Sequence, residues 1–270
     1  MNTPTISPIS LGRIRSITRA ELLLLSRNRA ALVNAMLPPL AVVGLISSTH
    51  SGGGGTTGGL SSNAFVTTAL LGFVMLSTVY YNLVTTYVAR REGLVLKRLR
   101  VGEITDVEIL TGAASASIVL AVAQILLFGI ASAVALGLPV PVNLPVFAVG
   151  MLGGVALFAL LAAASATFTR TVEMAQITTL PVLFACVLGS GTMFPLDSLP
   201  RPLADVLQYL PLTPPVELLR LGWLGTTGKA LPVDFAGAFG AAAEPTAILA
   251  AWTVVGVLVV RRWFRWEPRR

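Results

Sequence analysis

Apolar runs of about 20 residues recur along this chain, and each is long enough to carry a helix across a hydrocarbon core of about 30 Å. The remainder cannot coat a soluble globule. Only 11% of the residues are charged and 54% are hydrophobic, where soluble domains carry about 25% charge. A membrane β-barrel needs short alternating segments instead. The fold class that follows is all-α: a polytopic helical membrane protein forming a single transmembrane domain over residues 1–270.

Six spans are predicted, at 31–48, 63–89, 109–137, 144–168, 172–193 and 245–260. Pro38-Pro39 and Pro181 fall inside spans, where neighbouring helices can satisfy the freed backbone groups. The stretch at 11–29 is amphipathic. Leu11, Ile14, Ile17, Leu22, Leu24 and Leu25 share one arc of a helical wheel, and Arg13, Arg15, Arg19 and Arg27 fall outside it. It reads as an interfacial helix on the inner leaflet. It does not read as a secretory signal, because arginines break its apolar part and no small-residue cleavage site follows. Glu21 sits within the apolar arc, either paired with a nearby arginine or holding this helix to the bundle.

Sixteen of the 19 Lys and Arg residues fall on one side of the six-span scheme. By the positive-inside rule that side is cytoplasmic, so both termini are expected on the cytoplasmic face of the cell inner (plasma) membrane. The net charge of +7 then serves attraction to anionic lipid, and no nucleic-acid partner is needed to explain it. Arg201, Arg220 and Lys229 remain on the outer side. Of the outer segments, THSGGGGTTGGLSS at 49–62 reads as a flexible linker, and LPVPVN at 138–143 as a short stiff turn. The segment 194–243 breaks at prolines into short re-entrant or extracellular helices. Leu203, Val206, Leu207 and Leu210 mark one helix face, and Val216, Leu218, Leu219 and Trp223 a second. Tyr209 and Trp223 are expected at headgroup depth.

No catalytic constellation is visible. One histidine, His50, and one cysteine, Cys186, make neither a metal site nor a Cys/His pair, and no internal disulfide is possible. Cys186 reads as a small packing residue. Span interiors carry only weakly polar residues, Asn34, Tyr80, Tyr81, Asn82 and Gln124, where proton pumps and membrane hydrolases place ionisable groups. GWLGTTGKA at 222–230 fails as a phosphate loop. Its first glycine is one residue too far from Gly228-Lys229, and Ala230 stands where a magnesium-binding Ser/Thr is required. The chain is therefore not an enzyme by itself and binds no cofactor of its own. Without an internal repeat or a mid-span carboxylate, an ion-coupled carrier is disfavoured, which points to energy supplied by a partner.

One stretch suits such a partner. Residues 91–110, REGLVLKRLRVGEITDVEIL, hold eight of the 31 charged residues. The basic half could anchor to lipid. The acidic half, with Glu103, Asp106 and Glu108, would be repelled by it. A basic-then-acidic cytoplasmic segment between two spans fits docking into a protein groove.

Four segments together carry a resemblance: RAELLLLSRNRAAL before span one, REGLVLKRLRVGEITDVEILTG after span two, SGTMFPLDSLP at the end of span five and LPLTPPVELLRLGWLG beyond it. In order and spacing, over nearly the whole chain, they resemble the membrane (permease) subunit of a type-2 ABC exporter of the daunorubicin-resistance or multidrug-export type. The resemblance implies two permease subunits, a homodimer or a paralogous heterodimer, working with two copies of a separate nucleotide-binding ATPase subunit that binds ATP and Mg. It implies that 91–108 is the ATPase-coupling loop, with Arg91, Glu92, Lys97, Arg98, Arg100, Glu103, Asp106 and Glu108 as its contacts. The helix at 11–29, with Arg19, Glu21 and Arg27, would be a connector beside it. Spans one, two and five would line the substrate path, which makes Asn34, Tyr80, Tyr81, Asn82, Gly189, Gly191 and Phe194 its candidate residues. For the small residues Gly189, Ser190 and Gly191, helix packing is the alternative.

The function this implies is efflux of a hydrophobic or amphiphilic compound (a drug, antibiotic or lipid) by alternating access. One alternative is the permease of a polysaccharide or wall-polymer exporter, which tends to line its channel with aromatics. Aromatics are 7% here, which ranks it second. An ion-coupled carrier or a membrane scaffold is the rival from another class.

Overall fold

The computed structural model describes residues 55–95, 105–264 and 266, together with Arg98 and the single helical positions Gly12, Arg15, Ser16, Thr18, Arg19, Leu23, Val33, Leu37 and Ala41. The rest of the expected connector helix and of the first span lies outside the described residues. Five helices are long and apolar enough to cross a bilayer: Ser62–Glu92, Asp106–Leu136, Leu144–Phe168, Val172–Gly189 and Ala243–Trp263. They match spans two to six, and the protein is an all-α polytopic membrane protein. The helix Asp106–Leu136 has 31 residues, or roughly 45 Å at the helical rise, so it outruns the hydrocarbon layer.

Capping sets the helix ends. Orphan N–H groups at each start take a side-chain acceptor. Ser61 accepts from Ala64 N, Asn143 from Val146 N, Thr171 from Met174 N and Asp234 from Gly237 N. Asp106–Leu136 opens with a full capping box of Thr105 and Glu108. Its C-cap is Gly137 in the left-handed region. Val172–Gly189 continues through Pro181.

The second span lies at the centre. Every residue from Ala64 to Tyr80 except Phe73 is buried. Its middle, Met75–Tyr81, is π-helical between α-helical halves Ser62–Val74 and Asn82–Glu92, and π-bulges gather at functional sites. Two polar side chains of this segment are paired with neighbouring helices: Thr78 Oγ1 donates to Gln124 Oε1 at 2.7 Å, and Tyr80 Oη lies 3.0 Å from Ser165 Oγ. By contrast, Val172–Gly189 and Ala243–Trp263 leave Ile177, Phe184, Val254 and Leu258 exposed, the faces a bilayer would cover.

The segment at 194–243 forms a 3-10 turn at Leu196–Ser198 and the helices Arg201–Leu207, Thr213–Leu224 and Phe235–Ala241. The two expected amphipathic faces fare differently. Arg201–Leu207 buries nothing, and Tyr209 is exposed. Thr213–Leu224 is buried along almost its whole length and packs on Leu144–Phe168. Trp223 corrects the headgroup expectation. It is 3% exposed, its Nε1 donates to Pro139 O at 2.8 Å, and its ring meets Phe147 edge-on. The indole N–H found a backbone acceptor inside the protein, so the residue does not need the membrane surface. Small residues permit this crossing: a Cβ at Gly222 would lie 2.3 Å from Phe147 N, and one at Gly150 2.8 Å from Leu218 Cβ.

The glycine-rich outer segment is also corrected where it is described. Residues Thr56–Thr57 and Leu60–Ser61 pair as a small antiparallel hairpin. Its turn, Gly58-Gly59, has positive φ at both residues and lies against Gly228, also at positive φ. A Cβ at Gly228 would fall inside van der Waals contact of Gly58 O. Only glycine allows both the left-handed backbone and this approach, so part of the linker is docked on the loop that resembles a phosphate loop.

Candidate functional site

The charged segment at 91–108 begins and ends on the same side of the bundle, opposite the hairpin. Its two flanks are fixed by side chains expected to face a partner. Arg91 is 1% exposed. Its Nη1 donates to Ala166 O at 2.8 Å, and its Nη2 donates to Thr169 O and reaches Arg170 O at 3.5 Å. The carbonyls that end Leu144–Phe168 have no intrahelical partners, and a cation there also meets the negative end of the helix dipole. Glu108 is 0% exposed. Its Oε2 accepts from Thr105 N at 2.7 Å and Thr105 Oγ1 at 2.9 Å, and its own N–H donates to Thr105 Oγ1 at 3.3 Å. Both residues face the protein, because helix ends claimed them, and neither presents its charge outward.

Glu92, Arg98 and Asp106 are exposed. Lys97, Arg100 and Glu103 lie outside the described residues. Past Gly93, Leu94 adopts φ 58, and Arg98 N donates to Leu94 O at 3.0 Å, so a new helical turn starts there in a changed direction. Leu94, Val95 and Val107 are exposed at 40%, 40% and 50%. Apolar groups ringed by charge at a helix break make a mixed surface. Charge counting missed these three; for Leu94 and Val95 the signal was the LVL inside the basic run.

The C-terminal segment closes over the same region. Leaving Ala243–Trp263, the chain turns extended at Phe264. The Phe264 ring meets Tyr87 edge-on at 6.3 Å and Trp266 at 4.9 Å. Trp266, 9% exposed, packs with Ile109, Leu110 and Phe264, and Tyr87 Oη donates to Leu110 O at 3.1 Å. Tyr87 precedes the charged segment and Ile109 follows it, so these aromatics clasp its two ends together. Sequence reading treated this tail only as basic.

Of the connector residues, Arg19 is helical and exposed, and Glu21 and Arg27 lie outside the described residues. The candidate path residues divide. Asn34 lies outside the described residues. Tyr80 is fully buried against Ser165 and edge-on to Phe158, so it does not line an open wall. Tyr81 and Asn82 are half-buried, and so are Thr85 and Thr86 one turn on. The hydroxyls of those threonines donate to Asn82 O at 2.8 and 2.7 Å. Gly189 is covered by Leu207 and Leu210. Gly191 sits at φ +68 and accepts from Arg220 at its carbonyl. Both glycines serve close packing and a tight turn. Phe194 is 50% exposed.

Arg220, counted from sequence as an outer charge, is buried instead. Its Nε donates to Thr68 Oγ1 at 3.1 Å and its Nη2 to Gly191 O at 2.8 Å, and its Cζ stands 5.0 Å from the Phe65 ring centroid. One side chain thus joins the second span, the turn after the fifth span and the buried helix Thr213–Leu224. The sequence signal was an arginine inside an otherwise apolar helical face.

Among the described residues, no group of three His, Cys, Asp or Glu side chains could hold a metal ion, and Cys186 is buried. What the arrangement offers is a helical membrane body, a charged segment with fixed flanks at one end and a sealed polar cluster at the other. No curated protein matches the chain. The family model for the ABC-2 type transporter matches residues 12–223, from the N-terminal stretch through both packed ends to Trp223. That match covers well over half of the 270 residues, and with the membrane-spanning body described above the chain belongs to the ABC-2 type transporter family, as the permease subunit of an ABC exporter.

Proposed function

We propose that this permease exports a hydrophobic or amphiphilic compound, in the manner of the daunorubicin-resistance and multidrug exporters, from the cell inner membrane outward. Two permease copies work with two copies of an ABC ATPase that carries ATP and Mg. The ATPase seats on the segment 91–108, which places that end and both termini in the cytoplasm and the hairpin outside. The observation that carries this reading is the mixed surface of Leu94, Val95 and Val107 with Glu92, Arg98 and Asp106. All six are exposed, on a segment whose flanks are anchored by Arg91 and by the Thr105–Glu108 box. Anchored flanks let a push on the segment reach the second and third spans directly.

The half-buried strip of Tyr81, Asn82, Thr85 and Thr86 supports the substrate class. Its threonine hydroxyls are already bonded to the helix backbone, so its remaining hydrogen-bonding groups are the Tyr81 hydroxyl and the Asn82 carboxamide. A glycan would need more polar handles. Reconstituted complexes test this: a panel of lipophilic cations such as daunorubicin should raise ATP hydrolysis, and undecaprenyl-linked oligosaccharide should not. Stimulation by the glycan alone would favour the wall-polymer alternative. Leu231, 87% exposed at the hairpin end, should react as Leu231→Cys with an impermeant maleimide from outside intact cells. Labelling only after the cytoplasmic face is opened would reverse the orientation.

A further inference from the structure

Two cations and one carboxylate line a small hollow beneath the hairpin. Its polar wall includes Arg220, Lys229, Glu217 and Ser190, and its apolar wall includes Phe65 and Leu196. The hollow leaves about 20 Å³ for the centre of a water-sized guest, where one such guest needs about 10–15 Å³. It has room for one small ion. Glu217 is held by Lys229 at 3.1 Å. Arg220, 7% exposed, donates to two neutral oxygens, Thr68 Oγ1 and Gly191 O. Glu217 also acts electrostatically on Arg220, so one carboxylate serves two cations, one positive charge is left over among the described lining residues, and an incompletely compensated buried charge is costly. Ser190 adds a second observation: it is 1% exposed, and its hydroxyl has no hydrogen-bond partner.

We propose that this hollow is a chloride site. The guanidinium and ammonium groups supply charge, the Ser190 hydroxyl turns its proton to the ion, and the phenyl and leucyl walls suit a weakly hydrated halide better than a strongly hydrated one. The ion neutralises the residue that ties together the second span, the turn after the fifth span and the helix Thr213–Leu224. Binding therefore stabilises that end of the bundle. The site rests on the fold alone and does not depend on the transport reading.

Thermal unfolding of the full chain in detergent tests it, with sodium chloride exchanged for sodium gluconate at constant ionic strength. Ligand that binds only the folded state raises the midpoint in a saturable way. The midpoint should rise with chloride and with bromide, and stay flat in gluconate. Ser190→Ala removes one donor, and Lys229→Gln frees Glu217 to take the charge of Arg220. Each should weaken the apparent chloride affinity about tenfold or more, the effect of losing one good interaction. Equal midpoints in chloride and gluconate for the native chain would overturn the proposal. So would a chloride response unchanged by both substitutions. A native chain indifferent to chloride that becomes chloride-dependent as Asp197→Asn would also overturn it, by giving the balancing charge to Asp197, whose side chain lies outside the described residues.

Discussion

Arg91 shows how a charge in the proposed docking segment can be spent on the fold. Its guanidinium closes the end of Leu144–Phe168 by bonding carbonyls of Ala166 and Thr169. Hydrogen bonds to a charged group contribute about 1.5–3 kcal/mol each, so Arg91→Ala should destabilise the chain by at least about 2 kcal/mol in denaturant unfolding. Arg91→Lys should recover less than half of that, since a point charge cannot reproduce the fork. A neutral Arg91→Ala would show that those carbonyls have other partners. Tyr80 is a second case. Tyr80→Phe should cost about 0.5–1.5 kcal/mol, the range for hydrogen bonds between membrane helices. Adding Ser165→Ala should cost little more, because the pair is already broken. A large further loss would mean that the two hydroxyls act separately. Neither partner was legible in the sequence, which shows that a residue is polar and not which backbone end or hydroxyl, 75 or 85 residues away, folding brings to it.

At the scale of elements, span positions were legible because apolar length is written locally. The predicted 144–168 coincides with Leu144–Phe168, and 109–137 differs from Asp106–Leu136 only at its ends. The second span runs longer than predicted, to Glu92, because Arg90 and Arg91 read as a loop while the buried Arg91 extends the helix. The π-helical Met75–Tyr81 and the buried course of Thr213–Leu224 were not legible. Both are set by neighbours that periodicity does not see, such as the crossing at Gly150 and Gly222. The aromatic clasp is likewise a tertiary feature. Removing Trp266, a large buried ring, should cost about 3–5 kcal/mol if its site cannot collapse, and less at this partly open edge. Trp266→Ala should leave membrane insertion intact and loosen the ends of the charged segment, read as faster hydrogen exchange at residues 105–110. Trp266→Phe should restore most of the protection. Unchanged exchange in Trp266→Ala would show that the tail plays no part in holding that segment.

For the whole molecule, the family was readable from four segments in their order and spacing. The proposed docking surface was only partly readable. Counting charges placed Arg91 and Glu108 on it, and burial removes them; it also passed over Leu94, Val95 and Val107. A charge reversal that tests docking must therefore avoid the buried pair and use Glu92, Arg98 and Asp106, which are exposed. Glu92→Lys, Arg98→Glu and Asp106→Lys together should leave insertion unchanged. Exposed pairs contribute about 0.2–1 kcal/mol each, and three of them lost and made repulsive should reduce binding at least tenfold, which corresponds to about 1.4 kcal/mol. The most direct measurement is purification of the tagged full chain from its own membranes, with ATP hydrolysis and the stoichiometry of the co-purifying nucleotide-binding subunit read in the eluate. The account predicts one ATPase per native permease, and at least tenfold less hydrolysis and bound ATPase with the triple variant at equal permease yield. Full retention of an active ATPase by the triple variant would contradict the assignment of residues 91–108 as its seat.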